Sequence, residues 1–343
     1  MPPTLAIILL CAGLIALLAL LFWPTKGVLA RLAQVRRDKS RAALEDVLKH
    51  AYDCESRSVA CTIENLAEGL GTSAGAVAHL IDRLEAMGLL KREGAALRLT
   101  PDGTSYALRV IRMHRLWERY LADETSVREA DWHRNAERQE HRLTVADADA
   151  LAARLSNPQV DPHGDPIPTA AGEIPSRPGV LLTALGDGEF ARIVHIEDEP
   201  PEIYAQLAAQ NLHAGMQLRV LERSAQRIRF EAEGEEVVLA PLLARLITVA
   251  PLPEESRARE PFVTLASVKP GQTAVVTAIS RACRGQQRRR IMDLGIVPGT
   301  RITPELDSLT GNPRAYQVRG TLVALRKEQA DQIFVHSAPG VAA

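Results

Sequence analysis

Met113-His114-Arg115-Leu116-Trp117-Glu118-Arg119-Tyr120-Leu121 lies inside a helical stretch, Thr104 to Ala122, whose reading decides what kind of chain this is. Ala107, Val110, Ile111, Trp117 and Leu121 form its apolar stripe, and His114 and Glu118, spaced i, i+4, lie along that stripe. Ionisable groups are thus aimed inward, where they need a compensating charge or hydrogen bonds. A second stretch, Glu129 to Leu155, is also expected to be helical and carries His133, Glu137, Glu140 and His141 at i, i+4, i+7, i+8. A divalent cation shared between the two helices would supply the missing charge. The competing reading is a solvated charged face, and Arg134, Arg138 and Arg142 satisfy it.

Working back from this pair, Ser40 to Asp53 is amphipathic, with Ala43, Leu44, Val47, Leu48, Ala51 and Tyr52 on one side. A short helix, Thr62 to Leu70, follows. After Gly71-Thr72-Ser73 a third begins, capped by Thr72 or Ser73, with Val77, Leu80, Ile81, Leu84 and Met87 at helical spacing. Gly88 to Arg92 and Leu97 to Thr100 then read as two strands around a Glu93-Gly94 turn. Three helices and a hairpin in this order make a winged helix-turn-helix, an arrangement also found in pure interaction modules. The reading surface would be Ser73, Ala74, Ala76, His79 and Arg83 on the third helix, with Lys91, Arg92 and Arg98 in the wing. The first group is poor in Arg, Asn and Gln, so base specificity is expected to be weak or to rest on DNA shape.

The chain has 343 residues, 46% of them hydrophobic, and a formal net charge of −1, so any DNA-binding surface must be local. Cys11, Cys54, Cys61 and Cys283 form no C-x-x-C pair and no zinc spacing, which fits a reducing compartment. Thr4 to Trp23 has no charge and is long enough to cross a bilayer as a helix. The cations that follow it, among them Lys26, Arg31, Arg36 and Arg37, predict a single-pass inner-membrane anchor with the bulk of the chain cytoplasmic.

The winged helix, the Met113–Leu121 run, Glu137-Arg138-Gln139-Glu140-His141 and Pro162-His163-Gly164-Asp165-Pro166-Ile167-Pro168 together resemble the DtxR family of metal-dependent transcriptional regulators, over roughly Arg36 to Val249. The resemblance implies operator binding as a homodimer on double-stranded DNA. It implies an ancillary metal site of His114, Glu118 and His133 and a primary site of Asp46, Glu137, Glu140 and His141. Such an oxygen-rich primary set suits Mn²⁺ and also accepts Fe²⁺. Lys49 stands where the manganese branch of the family has a further carboxylate, and so departs from it.

Beyond a Pro- and Gly-rich linker, the chain repeats itself. Gly188 to Val194 matches Gly271 to Thr277, and Asn211 to Leu218 matches Gly295 to Ile302, at an offset of 83 or 84 residues. Each unit is expected to be a small SH3-like β-barrel. The second closely resembles FeoA, through Arg288 to Gly295 and Arg319 to Arg326, and such barrels usually bind protein segments.

The expected architecture is therefore α+β and multidomain: a transmembrane anchor at 1–25, a winged helix at 26–101, a helical metal-binding and dimerisation domain at 102–157 and a linker at 158–178. An SH3-like domain at 179–250, a second linker at 251–261 and a FeoA-like domain at 262–337 complete it. The leading functional reading is a membrane-anchored, iron- or manganese-dependent transcriptional regulator. The alternative is a membrane-bound sensor that does not read DNA and acts on a metal transporter through its FeoA-like domains. With no nucleophile motif or phosphate loop beside the ligands, no catalytic residues are expected.

Overall fold

The helix Val28–Ser56 opens the continuous part of the computed structural model, which describes residue 20 and residues 28–232, 235–252, 263–280, 283–307 and 312–337. Two units are distinguished: residues 1–113, 137–145 and 170–172, and residues 114–136, 146–169 and 173–343.

In the first unit, the C-terminal half of the Val28–Ser56 helix buries Leu44, Val47, Leu48 and Ala51. The helix Ile63–Gly69 starts at Thr62, whose side chain accepts a hydrogen bond from the Asn65 amide, and the helix Ala74–Ala86 starts at Ser73, which accepts from Ala76. Val77, Ile81 and Leu84 of the latter face the same core. β1 (Leu90–Glu93) and β2 (Ala96–Leu99) pair antiparallel with Leu90 opposite Leu99, and Gly94 takes the turn at φ +67°. Thr100 then receives a hydrogen bond from the Gly103 amide at the start of the helix Pro101–Glu124. A Cβ at Gly103 would lie 1.8 Å from the Leu89 carbonyl oxygen, so only glycine lets the hairpin pack this closely. The order of a winged helix is thus present.

The expected inner-membrane placement is corrected. Among the described residues no helix is long and apolar enough to cross a membrane. Val28–Ser56 has the length, but Arg36, Arg37, Asp38 and Lys39 interrupt it with charge. Thr4 to Trp23, on which the expectation rested, lies outside the described residues apart from Leu20.

Glu129 to Leu155, expected as one helical stretch, is a 3₁₀ turn (Glu129–Asp131) followed by two helices, Trp132–Glu140 and Val145–Arg154. Thr144 ahead of Asp147, an acidic residue in the first turn, is the start signal that restarts the chain there.

In the second unit, the Pro162–Pro168 run that carries the family resemblance is packed, whereas residues 171–178 after it hold no buried side chain. Asp161, Pro162, His163, Gly164, Ile167 and Pro168 are buried, and Val160 bridges Pro166. One carboxylate oxygen, Asp161 Oδ1, accepts the backbone amides of His163, Gly164 and Asp165, each at 2.9 Å. Gly164 (φ +99°) is pressed against β4 (Phe190–Ile196), where a Cβ would sit 1.9 Å from the Val194 carbonyl oxygen.

The sequence repeat is a structural repeat. The first sheet consists of β3 (Val180–Leu181), β4, β5 (Gln217–Arg223), β6 (Ile228–Ala232), β7 (Glu235–Leu239) and β8 (Ile247–Pro251), in the order β3-β8-β4-β5-β6-β7. The second consists of β9 (Val263–Thr264), β10 (Ala274–Ile279), β11 (Arg301–Asp307), β12 (Arg314–Val318), β13 (Thr321–Leu325) and β14 (Ile333–Ser337), in the order β9-β14-β10-β11-β12-β13. Strand for strand the orders are the same, and the irregularities coincide: Ile193/His195 with Val276/Ala278, and Val220/Glu222 with Pro304/Leu306. Each sheet has its own core, built around Phe230 in the first and Tyr316 in the second.

Candidate metal centres

The first centre lies wholly in the first unit. Asp46 projects from the Val28–Ser56 helix, and Glu140 and His141 stand at the end of the Trp132–Glu140 helix; one ligand atom from each lies within 4.8 Å of the others. Asp46 Oδ1 is 3.1 Å from His141 Nε2, and Glu140 Oε1 is 3.6 Å from the same nitrogen. On the other side of the ring, His141 Nδ1 is 2.6 Å from Glu45 Oε2. Glu45 is itself buried, and its second oxygen accepts the Tyr106 hydroxyl at 2.7 Å. This is the arrangement in which a carboxylate holds one imidazole nitrogen and leaves the other to a cation. Arg41 donates to the His141 carbonyl and adds a tether to the same turn.

Burial pulls the His141 pKa down, but hydrogen bonds to Asp46 and Glu45 and the charge of Glu140 outweigh it and push it up to about 9. Lys49 Nζ sits 3.2–3.3 Å from both oxygens of the buried Glu140, placing a fixed cation beside the ligand set. Glu137, expected in the primary site, is exposed and stands outside this three-residue group. Glu45 was missed in the sequence; its signal is a carboxylate at i−3 from the buried Leu48, on the edge of the apolar stripe.

The second centre lies wholly in the second unit, where His114, Glu118 and His133 come together. His114 and Glu118 are buried on the helix Pro101–Glu124, as the stripe predicted. Glu118 Oε1 lies 3.2 Å from His114 Nε2 and 3.3 Å from His133 Nδ1. That oxygen is buried and makes no hydrogen bond of acceptable geometry. Separations of this size are what atoms show when each sits about 2.1 Å from one shared ion. The donor set and the unsatisfied oxygen therefore fit a divalent cation. Burial raises the Glu118 pKa, but the imidazoles of His114 and His133 more than offset this and hold it well below the carboxylate range.

Three further residues, Asp198, His163 and Glu199, stand at this centre, which the spacing did not reveal. Asp198, in the loop after β4, has Oδ2 3.3 Å from His133 Nδ1 and 3.9 Å from His163 Nε2, and Glu118, His163 and Asp198 form a third close group. Glu199 Oε1 is 3.4 Å from His133 Nε2. His163 is held by the Asp161 clamp and by its carbonyl, which accepts the Ile196 amide at 2.9 Å.

Of the expected DNA-contacting residues, Ser73, Ala74, Ala76 and His79 form an exposed face on the Ala74–Ala86 helix. Arg83 is instead half-buried and donates to Ser40. In the wing, Arg92 pairs with Asp82 and Glu85, Lys91 with Glu93, and Arg98 Nε stands 3.9 Å from Glu93. The local positive charge is therefore partly neutralised within the unit.

Comparison with known proteins matches this architecture. Residues 100–169 match the family described as "Iron dependent repressor, metal binding and dimerisation domain", and residues 263–337 match the FeoA domain. The iron-dependent repressor IdeR of Mycobacterium tuberculosis (strain ATCC 25618 / H37Rv) is 36% identical over 125 residues, 36% of this chain; the chain spans about half of that protein's length, 54%. IdeR of Mycobacterium leprae (strain TN) is 33% identical over 169 residues, covering 45% of this chain and 74% of that protein. Among solved structures, a manganese-dependent transcriptional repressor in complex with manganese is similar at a TM-score of 0.56 and 32% identity, over 61% of this chain and 100% of its own. The chain belongs to the DtxR/IdeR family of metal-dependent repressors and carries a FeoA domain after the family's metal-binding and dimerisation domain.

Proposed function

We propose that this protein is a divalent-metal-dependent, DNA-binding transcriptional regulator of iron or manganese homeostasis that acts as a homodimer. The observation that supports it most directly is the Asp46–Glu140–His141 group, because it joins the first helix of the winged helix to the end of the ligand-bearing Trp132–Glu140 helix. Mn²⁺ or Fe²⁺ bound there would supply a positive charge shared by the two segments. Asp46 and the Glu140–His141 turn are then held in one relative position, with Glu45 orienting the imidazole. If only that position suits the operator, metal and DNA tighten each other's binding. His114, Glu118 and His133, with Asp198 and His163 beside them, would hold an ancillary ion.

The exposed helix face of Ser73, Ala74, Ala76 and His79 and the wing residues Lys91, Arg92 and Arg98 would meet DNA. A protein-binding sensor that does not read sequence is favoured by one observation, the pairing of Arg92 with Asp82 and Glu85. Capture of genomic fragments separates the two readings. The experiment uses Mn²⁺, Fe²⁺ under anoxia, and chelator. Selective fragments recovered only with metal, and lost in Asp46→Ala, are the expected result. Metal binding without DNA capture would overturn the regulator reading in favour of the sensor.

A further inference from the structure

The FeoA-like part of the chain meets the ancillary cluster through the start of one helix, Gly285–Asp293, which lies in the same unit. Arg284, immediately before that helix, places its guanidinium 5.2 Å from the centre of the Trp132 ring, and its Nη2 donates to the Pro162 carbonyl at 3.5 Å. Trp132 is the residue before His133, and Pro162 is the residue before His163. One side chain of the second barrel therefore touches the backbone or ring directly preceding two of the imidazoles in the cluster.

The contact is close-fitting. Gly285 has φ +55°, and a Cβ there would lie 2.2 Å from the Thr125 carbonyl oxygen, so the barrel approaches the end of the Pro101–Glu124 helix to a distance only glycine permits. Arg289 forms an ion pair with Glu124, which also receives Arg154 at 3.1 Å. Trp132 is buried, and its indole nitrogen donates to the Val127 carbonyl at 3.0 Å, which fixes the ring plane that Arg284 covers. Behind it, the His163 ring packs on Tyr204 at 4.9 Å, and Tyr204 donates to Glu129, whose charge faces Arg284. Burial of a guanidinium carries a desolvation cost, which cation–π contact with Trp132 and the Glu129 charge offset only while the barrel is seated.

We propose that the second barrel is a cis-acting clamp on the ancillary metal site, its binding partner being the metal-binding helices of its own chain, with Arg284 as the positioning residue. This rests on the reading of His114, Glu118 and His133 as a metal site. Glu118 belongs to the candidate groups of both His133 and His163, so an ion held there would fix the two imidazoles near it, and the seated Arg284 holds the residues before both. By linkage, each event favours the other. The FeoA-like domain then needs no separate protein to act on the sensor.

The test is Mn²⁺ titration of the full chain carrying Asp46→Ala, so that only the ancillary site is read, with and without Arg284→Ala. A roughly tenfold loss of affinity is expected from Arg284→Ala, within the ordinary span of coupling between sites. Arg284→Lys, which keeps the charge and loses the planar stack, should recover only part of it. In the absence of Asp46→Ala, primary-site affinity measured in His133→Ala should not change with Arg284→Ala, which also shows that the variant folds. Mn²⁺ should slow amide exchange in the Gly285–Asp293 helix, and this protection should vanish in Arg284→Ala. Should Arg284→Ala fail to fold, Arg289→Ala removes the exposed pair with Glu124 and is expected to give a smaller loss in the same direction. Ancillary Mn²⁺ binding equal within twofold in all variants, with no protection of that helix, overturns the clamp. No ancillary Mn²⁺ binding even with Arg284 intact overturns the site reading itself, and the clamp with it.

Discussion

If Asp46, Glu140 and His141 hold the primary ion as proposed, binding must displace a proton from His141, because, against burial, the neighbouring carboxylates hold that imidazole protonated at neutral pH. The imidazole is pushed up to about 9 from an ordinary 6.5. That difference corresponds to about 3 kcal/mol of stabilisation of the protonated, metal-free form. The sign follows from the direction of the shift. A raised pKa contributes stability that is fully present below pH 6.5 and is lost as pH rises through about 9. Metal binding runs the opposite way, since the cation competes with the proton for the imidazole.

Affinity for Mn²⁺ at the primary site should therefore climb about tenfold per pH unit between pH 6.5 and 8, with about one proton released per ion. The assay is calorimetric titration of the His133→Ala chain, which leaves the primary site to be read, in pairs of buffers of different ionisation enthalpy. The difference in observed heat counts the protons. Glu45→Gln removes one of the charges that hold the proton and should reduce proton release at pH 8. An affinity flat across this range, with no proton released, would refute the reasoning, because it would mean that His141 is already neutral or takes no part in binding.

Three further outcomes are expected. Lys49→Met removes the ammonium 3.2 Å from the buried Glu140; Mn²⁺ affinity at the primary site should rise about tenfold, because a unit charge at this range near a protein surface is worth a few kcal/mol and Lys49 is partly solvated, while the melting temperature of the metal-free chain falls. Gly164→Ala forces a Cβ toward the Val194 carbonyl at φ +99°, and thermal unfolding should report a loss of roughly 2 kcal/mol or more; ancillary Mn²⁺ affinity should fall with it as His163 is displaced. Tyr106→Phe deprives Glu45 of a 2.7 Å hydrogen bond and should cost about 1–2 kcal/mol in urea unfolding with no loss of metal stoichiometry.

The sequence alone determined whatever depends on neighbours along the chain. Helical spacing placed His114 and Glu118 on a buried face, and both are buried. A cap at Thr72 or Ser73 was readable because capping is local, and the structure selects Ser73, which accepts the amide of Ala76 three positions on. The repeat was readable because two sheets of the same strand order keep the same turns and irregularities at the same offset. His133, Glu140 and His141 were singled out by helical spacing, whereas Asp46, and the sorting of the ligands into two sites, entered through resemblance to a family.

The tertiary structure decided the rest. Glu45 meets His141 across 96 positions of sequence, and Asp198 reaches His133 from the loop after β4 of the first sheet. His163 is placed by a carboxylate two residues before it and by a bond to the Ile196 amide. Glu137 shares the helical spacing of Glu140 and His141 but is exposed where they are buried or half-buried. No periodicity encodes such meetings, because an isolated segment has no record of which charge will stand opposite it. Which carboxylates and imidazoles stand together, and how far each is withdrawn from water, is set by the fold and not by the spacing within one segment.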